Sequence, residues 1–444
     1  MSFADPLDEH TEVALPGALS PNPAPPLRKV LSGGIVGTAV EYYDFGLYGY
    51  MATVLAALFF HSDDPAVGLL STLASFAVAF FLRIPGGILF GHIGDRYGRK
   101  RALSLTILLM CAATLGVGVL PTYATLGIWA TVSLVALRCL QGLAAGGELG
   151  GATAYVAESA PPRHRARYTS SVNVGSNVAL LLASLSALFV NAVFTSEQVL
   201  SWAWRIPFIL SLPLAFVGIW IRSRLDDTPE FRKLERSGDT SKVPVAELLR
   251  TDRGTIVRIA CLMGMVSGGF YVTFTYGAIY LQTVGGHNPQ LSFLSTCIAL
   301  LVASGVMLFS GELADRVGRR PVYIGAAVSG IVLAVPCLSL MSGSSSIAAV
   351  VAHSVLGIPV AMSVGPAYAS FTEMLSARIR YSGVALGTNL SQTLLGGTAP
   401  FVCAWLVSAT GMPLAPAGYF IGCSVLVLLG ALRLKETAGT KLPE

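Results

Sequence analysis

The chain has 444 residues, of which 53% are apolar and 12% charged, with a mean hydropathy of +0.67. Soluble proteins carry about 25% charged residues, so this composition excludes disorder, a nucleic-acid-binding domain and most soluble enzymes. A net charge of +5 is too small to imply an acidic partner, and where the charges fall along the chain says more than their sum.

The first 29 residues hold six prolines and four acidic residues with no long apolar run, the composition of a flexible tail. No basic segment with a short apolar core opens the chain, so the first apolar run is expected to serve as the membrane signal. A helix needs about 20 mostly apolar residues to cross a bilayer. Twelve such runs follow, near 30–60, 66–91, 102–120, 124–150, 169–194, 203–222, 255–283, 291–313, 321–341, 346–371, 381–409 and 414–434. The predicted fold class is an all-α membrane protein with twelve transmembrane helices.

Lysine and arginine orient these runs. Of 29 such residues, 26 fall in the tails, in the segments after every even-numbered run or at the run ends beside them. The alternate segments (61–66, 121–123, 195–201, 284–290, 341–346 and 410–416) contain none. The positive-inside rule places the basic segments and both termini in the cytosol. The three exceptions are Arg83, Arg138 and Arg205. Arg205 stands beside Trp202 and Trp204 and reads as an interfacial anchor; the other two lie inside membrane runs.

A charge at mid-membrane costs about 2.5–3.5 kcal/mol on the insertion scale and normally faces the bundle interior with a partner. In the first run Glu41, Asp44 and Tyr48 share one helical face. Arg83 lies in the second run, and Arg138, Gln141 and Glu148 form a stripe on the fourth. All belong to the first half of the chain, at overlapping depths. Either they are ion pairs that fix packing, or they form one polar, water-filled site. Small residues alone pack membrane helices well, so the functional reading is preferred for Glu41, Asp44, Arg83 and Arg138. Arginine presents a planar fork to carboxylates, making Arg83 and Arg138 candidate substrate clamps. Asp44 or Glu41, with Glu148 in reserve, is the candidate proton carrier.

The chain also repeats itself. Gly91-His-Ile-Gly-Asp95-Arg96-Tyr-Gly98-Arg99-Lys100 returns as Gly311-Glu-Leu-Ala-Asp315-Arg316-Val-Gly318-Arg319-Arg320, and Glu158-x4-Arg163-x-Arg165 returns as Glu373-x4-Arg378-x-Arg380. Both pairs are in register with the run count, so two copies of a six-helix unit are expected at 30–222 and 255–435. A charged cytosolic linker, 223–254, joins them, and 1–29 and 436–444 are tails. The duplicated spacing exceeds what topology needs. It reads as a gating latch built from Gly91, Asp95, Arg96, Gly98 and Arg99, their counterparts Gly311, Asp315, Arg316, Gly318 and Arg319, and Glu158, Arg165, Glu373 and Arg380.

The second half offers aromatic and neutral polar groups. Tyr271 and Thr275 share a face with Phe274 in the seventh run, and Asn389 and Gln392 share one in the eleventh. These are candidate substrate contacts, although an aromatic stripe is more often packing, and Asn389 and Gln392 serve equally well as interhelical glue. His353 reads as a satisfied buried histidine. Seven cysteines sit singly in apolar runs, without ligand or disulfide spacing.

The repeated loop motif, the twelve runs and the central linker resemble the major facilitator superfamily. Further strings are Glu41-Tyr-Tyr-Asp44-Phe45, Arg83-Ile-Pro-Gly-Gly, Arg138-Cys-Leu-Gln141-Gly142, Trp202-Ala-Trp-Arg205-Ile-Pro207-Phe208, Thr228-Pro-Glu-Phe231, Arg380-Tyr381-Ser-Gly383 and Gly396-Gly-Thr-Ala-Pro400. Together they resemble the metabolite:proton symporter branch, whose members carry citrate, 2-oxoglutarate, other dicarboxylates, shikimate, proline or betaine. Two departures are Ile84 inside the usual Arg-Pro pair and Tyr42-Tyr43 where Trp-Tyr or Trp-Phe is commoner. The resemblance implies proton-coupled import of a small carboxylate or zwitterion by alternating access, in the bacterial inner membrane, by a monomer. Arg138 is similar to the fourth-helix arginine that the superfamily associates with proton coupling.

An exporter or proton antiporter of a larger organic product on the same fold is the alternative. No phosphate loop, HExxH, Gly-x-Ser-x-Gly or metal-ligand cluster occurs. No enzyme activity, cofactor, metal or nucleic acid is therefore expected, and the partners are a small substrate, protons and the bilayer.

Overall fold

The computed structural model describes residues 27–97, 99–146, 156–157, 160–213, 216–217, 253–376, 380–440 and 442–443. Helices occupy all twelve predicted runs. In the first half they are α1 (Leu27–Tyr50, carried past Met51 by Ala52–Phe59), α2 (Pro65–Tyr97), α3 (Arg99–Val119), α4 (Ile128–Gly146), α5 (Arg165–Val193) and α6 (Arg205–Ile209, with further helical residues at 211–213 and 216–217). In the second half they are α7 (Arg253–Thr283), α8 (Pro289–Val317), α9 (Arg319–Met341), α10 (Ser346–Glu373), α11 (Arg380–Ser391, Gln392–Gly397 and Ala399–Thr410) and α12 (Ala415–Leu432). Among the described residues nine helices are long and apolar enough to cross a bilayer, and Ser104–Val119 is a shorter tenth. Helices satisfy every backbone polar group internally, which the membrane core demands. Large apolar side chains such as Ile88, Trp129 and Phe309 point outward, as lipid contact allows.

The two halves repeat one packing scheme. In the first, α1 packs on α5, α2 on α4, and α3 on α4 and α6; in the second, α7 packs on α11, α8 on α10, and α9 on α10 and α12. Between the halves α5 packs on α8, and α2 on α11. Exchanging the halves converts one of these contacts into the other, so the duplicated sequence is a duplicated architecture.

Close approach of α2 and α4 sets the position of both midplane arginines. A Cβ on Gly142 would lie 2.1 Å from the Ala79 carbonyl oxygen, and one on Gly146 2.1 Å from that of Arg83. The two glycines, four residues apart, let the backbones touch, as small-xxx-small stripes do in membranes.

The repeated motif is helical rather than a loop. The eighth apolar run was expected to end near 313, but α8 continues to Val317 and α9 begins at Arg319. Glu312 and Arg316 form an (i, i+4) ion pair in this extension, which supports a helix beyond its apolar stretch. Gly318 alone makes the turn, at φ 105°, where a side chain would be strained. Elsewhere the second half loosens: α7 contains π-helical turns at Met265–Gly269 and Tyr271–Tyr276, α11 has one at Gln392–Gly397, and the first of these packs against the last. Such wide turns gather at functional sites.

Candidate transport site

The buried charges of the first half form two ion pairs. Arg83 of α2 donates to Glu41 of α1. Arg138 Nη1 of α4 lies 3.2 Å from Asp44 Oδ2 of α1. Asp44 Oδ1 also accepts the Thr114 hydroxyl from α3 at 2.6 Å and the Gln141 amide at 2.6 Å. Gln141, one turn after Arg138, returns its carbonyl oxygen to Arg138 Nη1 at 2.7 Å. Side chains from α3 and α4 thus converge on one carboxylate of α1.

Aromatic rings fill the space around the guanidiniums. Arg83 Cζ lies 4.6 Å from the Phe45 centroid and 4.5 Å from that of Phe80. Arg138 Cζ lies 4.0 Å from Tyr48, 4.9 Å from Phe45 and 5.6 Å from Phe76. Ring faces attract cations at these distances. Ser75 donates to the Thr72 carbonyl at 2.7 Å, so the Tyr48 hydroxyl, 2.5 Å from Ser75 Oγ, is the donor in that contact. Arg83 Nε and Arg138 Nε and Nη2 have no hydrogen-bond partner among the described residues.

The sequence suggested one water-filled site, and here the structure differs. Glu41, Asp44, Arg83 and Arg138 are each at most 2% exposed, and the charges are divided into two pairs with Phe45 against both arginines. Ion pairing and ring contact supply here what water was expected to supply.

The second half closes the site with uncharged groups. Tyr271 packs edge-on against Phe76 and Phe80, with centroids 5.8 and 5.3 Å apart. Thr275 meets α1 at Gly49, where a Cβ would lie 2.3 Å from its Cγ2, and its hydroxyl lacks a partner among the described residues. Gln392 interacts with Tyr42 of α1, while Asn389 Oδ1 has no hydrogen-bond partner among the described residues. His353 Nε2 donates to the Thr273 carbonyl at 2.9 Å and Nδ1 accepts from Ser295 at 2.8 Å, the satisfied buried histidine expected. Glu148 lies outside the described residues. Sequence reasoning missed Thr114 and the rings of Phe45, Phe76 and Phe80. A single threonine or phenylalanine in an apolar run carries no signal of its own.

A second cluster joins the halves at their basic ends. Asp315 caps α5, its Oδ1 and Oδ2 accepting the Ala166 and Arg167 amides at 3.1 and 2.9 Å. Arg319 reaches Asp315 Oδ1 at 2.7 Å and Glu373 Oε1 at 3.1 Å. Arg165 reaches the same Glu373 oxygen at 2.7 Å from the other half. Gly311 lets α8 approach α5: a Cβ there would lie 2.3 Å from Ser170 Oγ.

The C-terminal segment folds onto this cluster. Glu436 accepts the Arg319 and Arg320 amides at 2.8 and 3.1 Å, Thr437 donates to Glu373 at 2.6 Å, and Arg165 reaches the Thr440 carbonyl at 3.4 Å. Partial burial pushes the Glu436 carboxyl up, but backbone N–H donors from Arg319, Ala438, Arg320 and Thr437 outweigh it and hold the group below its ordinary value. One expected latch residue acts otherwise. Arg316 is 74% exposed and pairs with Glu312 on its own helix, because its position in the helical extension faces outward. Arg380 donates to the Thr372 and Leu375 carbonyls at 3.1 and 3.2 Å and to that of Pro443 at 2.6 Å. The first motif copy (Gly91, Asp95, Arg96, Gly98 and Arg99) and Glu158 lie outside the residues whose side chains are described, as does most of the 223–254 linker.

Two matching six-helix bundles, with compensated charge buried where they meet, define a secondary membrane transporter rather than an enzyme. The model of the Major Facilitator Superfamily matches residues 34–400, and the chain belongs to that family. It is 34% identical over 434 residues to the proline/betaine transporter of Salmonella typhimurium, covering 94% of this chain and 85% of that one. It is 37% identical over 420 residues to the shikimate transporter of Escherichia coli, covering 93% of each. Among solved structures, the partially occluded inward-open form of the xylose transporter XylE from E. coli matches with a TM-score of 0.73 at 18% identity, covering 94% of this chain and 99% of that one. That likeness speaks for the fold alone.

Proposed function

We propose that this chain imports a small carboxylate or zwitterion together with protons, by alternating access, as a monomer in the bacterial inner membrane. The basic helix ends and both termini then face the cytosol, and the bundles 30–222 and 255–435 rock about the linker 223–254. The observation that carries this reading is the Asp44–Arg138 pair, buried at mid-membrane beside Phe76, a ring that packs in turn on Tyr271 of the second half.

The chemistry follows from the hydrogen-bond inventory. Arg138 Nε and Nη2 have no partner among the described residues, and its Nη1 is held by Asp44 and Gln141. Protonation of Asp44 at Oδ2 removes the charge that holds Arg138, so the guanidinium fork turns to a substrate carboxylate. Glu41 and Arg83 form a second such pair. The site carries two carboxylates and two arginines, so a neutral zwitterion or a monoanion accompanied by protons leaves little uncompensated charge. The named substrates of the relatives, proline, betaine and shikimate, are of these kinds. Closure of the cytosolic side rests on Asp315, Arg319, Arg165 and Glu373.

Uptake of proline, betaine and shikimate into proteoliposomes under an imposed pH gradient tests the reading. One of the three should accumulate with wild type, and accumulation should vanish with Asp44→Asn and with Arg138→Ala. Undiminished accumulation in both variants would overturn the proposed site. Accumulation of none of the three would overturn the substrate class.

A further inference from the structure

Phe45 occupies a position that neither ion pair explains alone. It is buried on α1, one residue after Asp44 and one turn after Glu41. Among the described residues it is the one ring that both midplane guanidiniums share, with Arg83 Cζ at 4.6 Å and Arg138 Cζ at 4.9 Å from its centroid. Phe80 and Phe76 pack against it at 4.8 and 6.0 Å. Tyr271 of the second half packs in turn on both, so the ring is linked to the element that must move when the halves rock.

We infer that Phe45 is a positioning residue for coupling: it keeps the Glu41–Arg83 and Asp44–Arg138 pairs in separate registers while holding both arginines on one π surface. The inference rests on the transport reading above. Two carboxylates on adjoining turns of α1, facing one arginine from α2 and one from α4, can also pair crosswise, and a crossed pair discharges one carboxylate without freeing either arginine for substrate. The bulk of Phe45 opposes that exchange. Its quadrupole retains a guanidinium whose carboxylate has been protonated, because ring attraction does not depend on the carboxylate's charge. An arginine released from Asp44 or Glu41 is therefore kept from the other carboxylate, and loading of one proton stays tied to one pair.

The test separates bulk from quadrupole. Wild type is compared with Phe45→Leu, Phe45→Tyr and a form carrying 3,4,5-trifluorophenylalanine at position 45, which keeps ring size and weakens the quadrupole. Each form is first shown by thermal melting to be folded. Radiolabelled proline is the probe, followed both as uptake against a gradient driven by pH and as exchange without a pH gradient. The Phe45→Leu and trifluorinated forms should lose accumulation by about tenfold or more and keep exchange, while the Phe45→Tyr form keeps both. A trifluorinated form that accumulates like wild type, or a Phe45→Leu form that loses exchange and accumulation in equal proportion, would overturn the proposal.

A second readout needs no substrate. The protonated-carboxyl infrared band of purified protein is titrated with pH, with Glu41→Gln and Asp44→Asn assigning the steps. Its midpoint should move by about one pH unit or more in the Phe45→Leu and trifluorinated forms and hold in the Phe45→Tyr form. A midpoint common to all four forms would overturn the proposal. If wild type does not carry proline, the substrate reading fails and this titration still decides the role of Phe45.

Discussion

Glu373, the last residue of α10, holds Arg165, the first residue of α5, at 2.7 Å across the boundary between the two halves. The two belong to opposite copies of the same repeated motif, so the duplication supplies both partners of one bond. Removing one member of a buried pair costs about 3–5 kcal/mol, because the other is left uncompensated. Glu373→Gln is expected to weaken this closure. In Ser170→Cys protein, labelling by a water-soluble maleimide should become about tenfold faster or more. Unchanged labelling would show that the contact does not hold the halves together.

The Glu41–Arg83 pair allows packing and function to be told apart. Glu41→Gln leaves a buried arginine short of its counter-charge, and a stability loss of about 3 kcal/mol is expected. The double variant Glu41→Gln, Arg83→Met removes both charges and should recover most of that loss. Transport should not recover with it. Thermal melting beside proteoliposome uptake checks this, and recovery of uptake would assign the pair to packing alone.

Arg138→Lys is expected to fail as a conservative change. Arg138 contacts Asp44, Gln141 and three aromatic rings, a set that suits a planar fork and not a compact ammonium. Loss of uptake should approach that of Arg138→Ala, about a hundredfold or more. Uptake near the wild-type rate would show that a point charge suffices.

Gly142→Ala tests how the arginines are placed. The added methyl would meet the Ala79 carbonyl oxygen at 2.1 Å, a contact that backbone must relieve. Overpacking of this kind costs about 1–3 kcal/mol or more, and the α2–α4 shift should also weaken uptake. A melting temperature equal to wild type would contradict the close approach of these helices.

The C-terminal segment should respond to acid. The Glu436 carboxyl is held below its ordinary value of 4.5. A depressed folded-state value stabilises the docked segment above 4.5 and loses that effect as pH falls through the folded-state value. Near pH 6 the Arg319 and Arg320 amides should exchange more slowly in wild type than in Glu436→Gln, and the difference should vanish once pH has fallen through the folded-state value. Equal exchange at the higher pH would show that Glu436 does not hold the segment.

Much of this was legible in the sequence because the bilayer leaves so few options. Runs of about 20 apolar residues must be helices, and charges placed inside them must find partners, so Glu41, Asp44, Arg83 and Arg138 announced themselves. Their pairing was not legible, since helix periodicity says which residues share a face but not which helix lies opposite. Thr114 shows the limit: only the fold brings its hydroxyl to Asp44. The motif at 311–320 was recognisable as a repeat, yet its helical form and the outward turn of Arg316 depend on how far α8 extends past its apolar stretch. The capping by Glu436 follows from a long-range contact with Arg319 that local pattern does not encode.

The division of polarity between the halves has a mechanical consequence. At mid-membrane every ion pair among the described residues lies within the first half, and the contacts it makes with the second are rings and neutral groups such as Thr393, which donates to the Phe80 carbonyl. Among the described residues the ion pair that spans the boundary, Arg165 to Glu373, stands at the helix ends. Parting the halves therefore strips no charge of its counter-charge inside the low-dielectric slab. The electrostatic work is confined to the rim, where solvent takes over the broken bond, and the swing of the bundles is left nearly free of it.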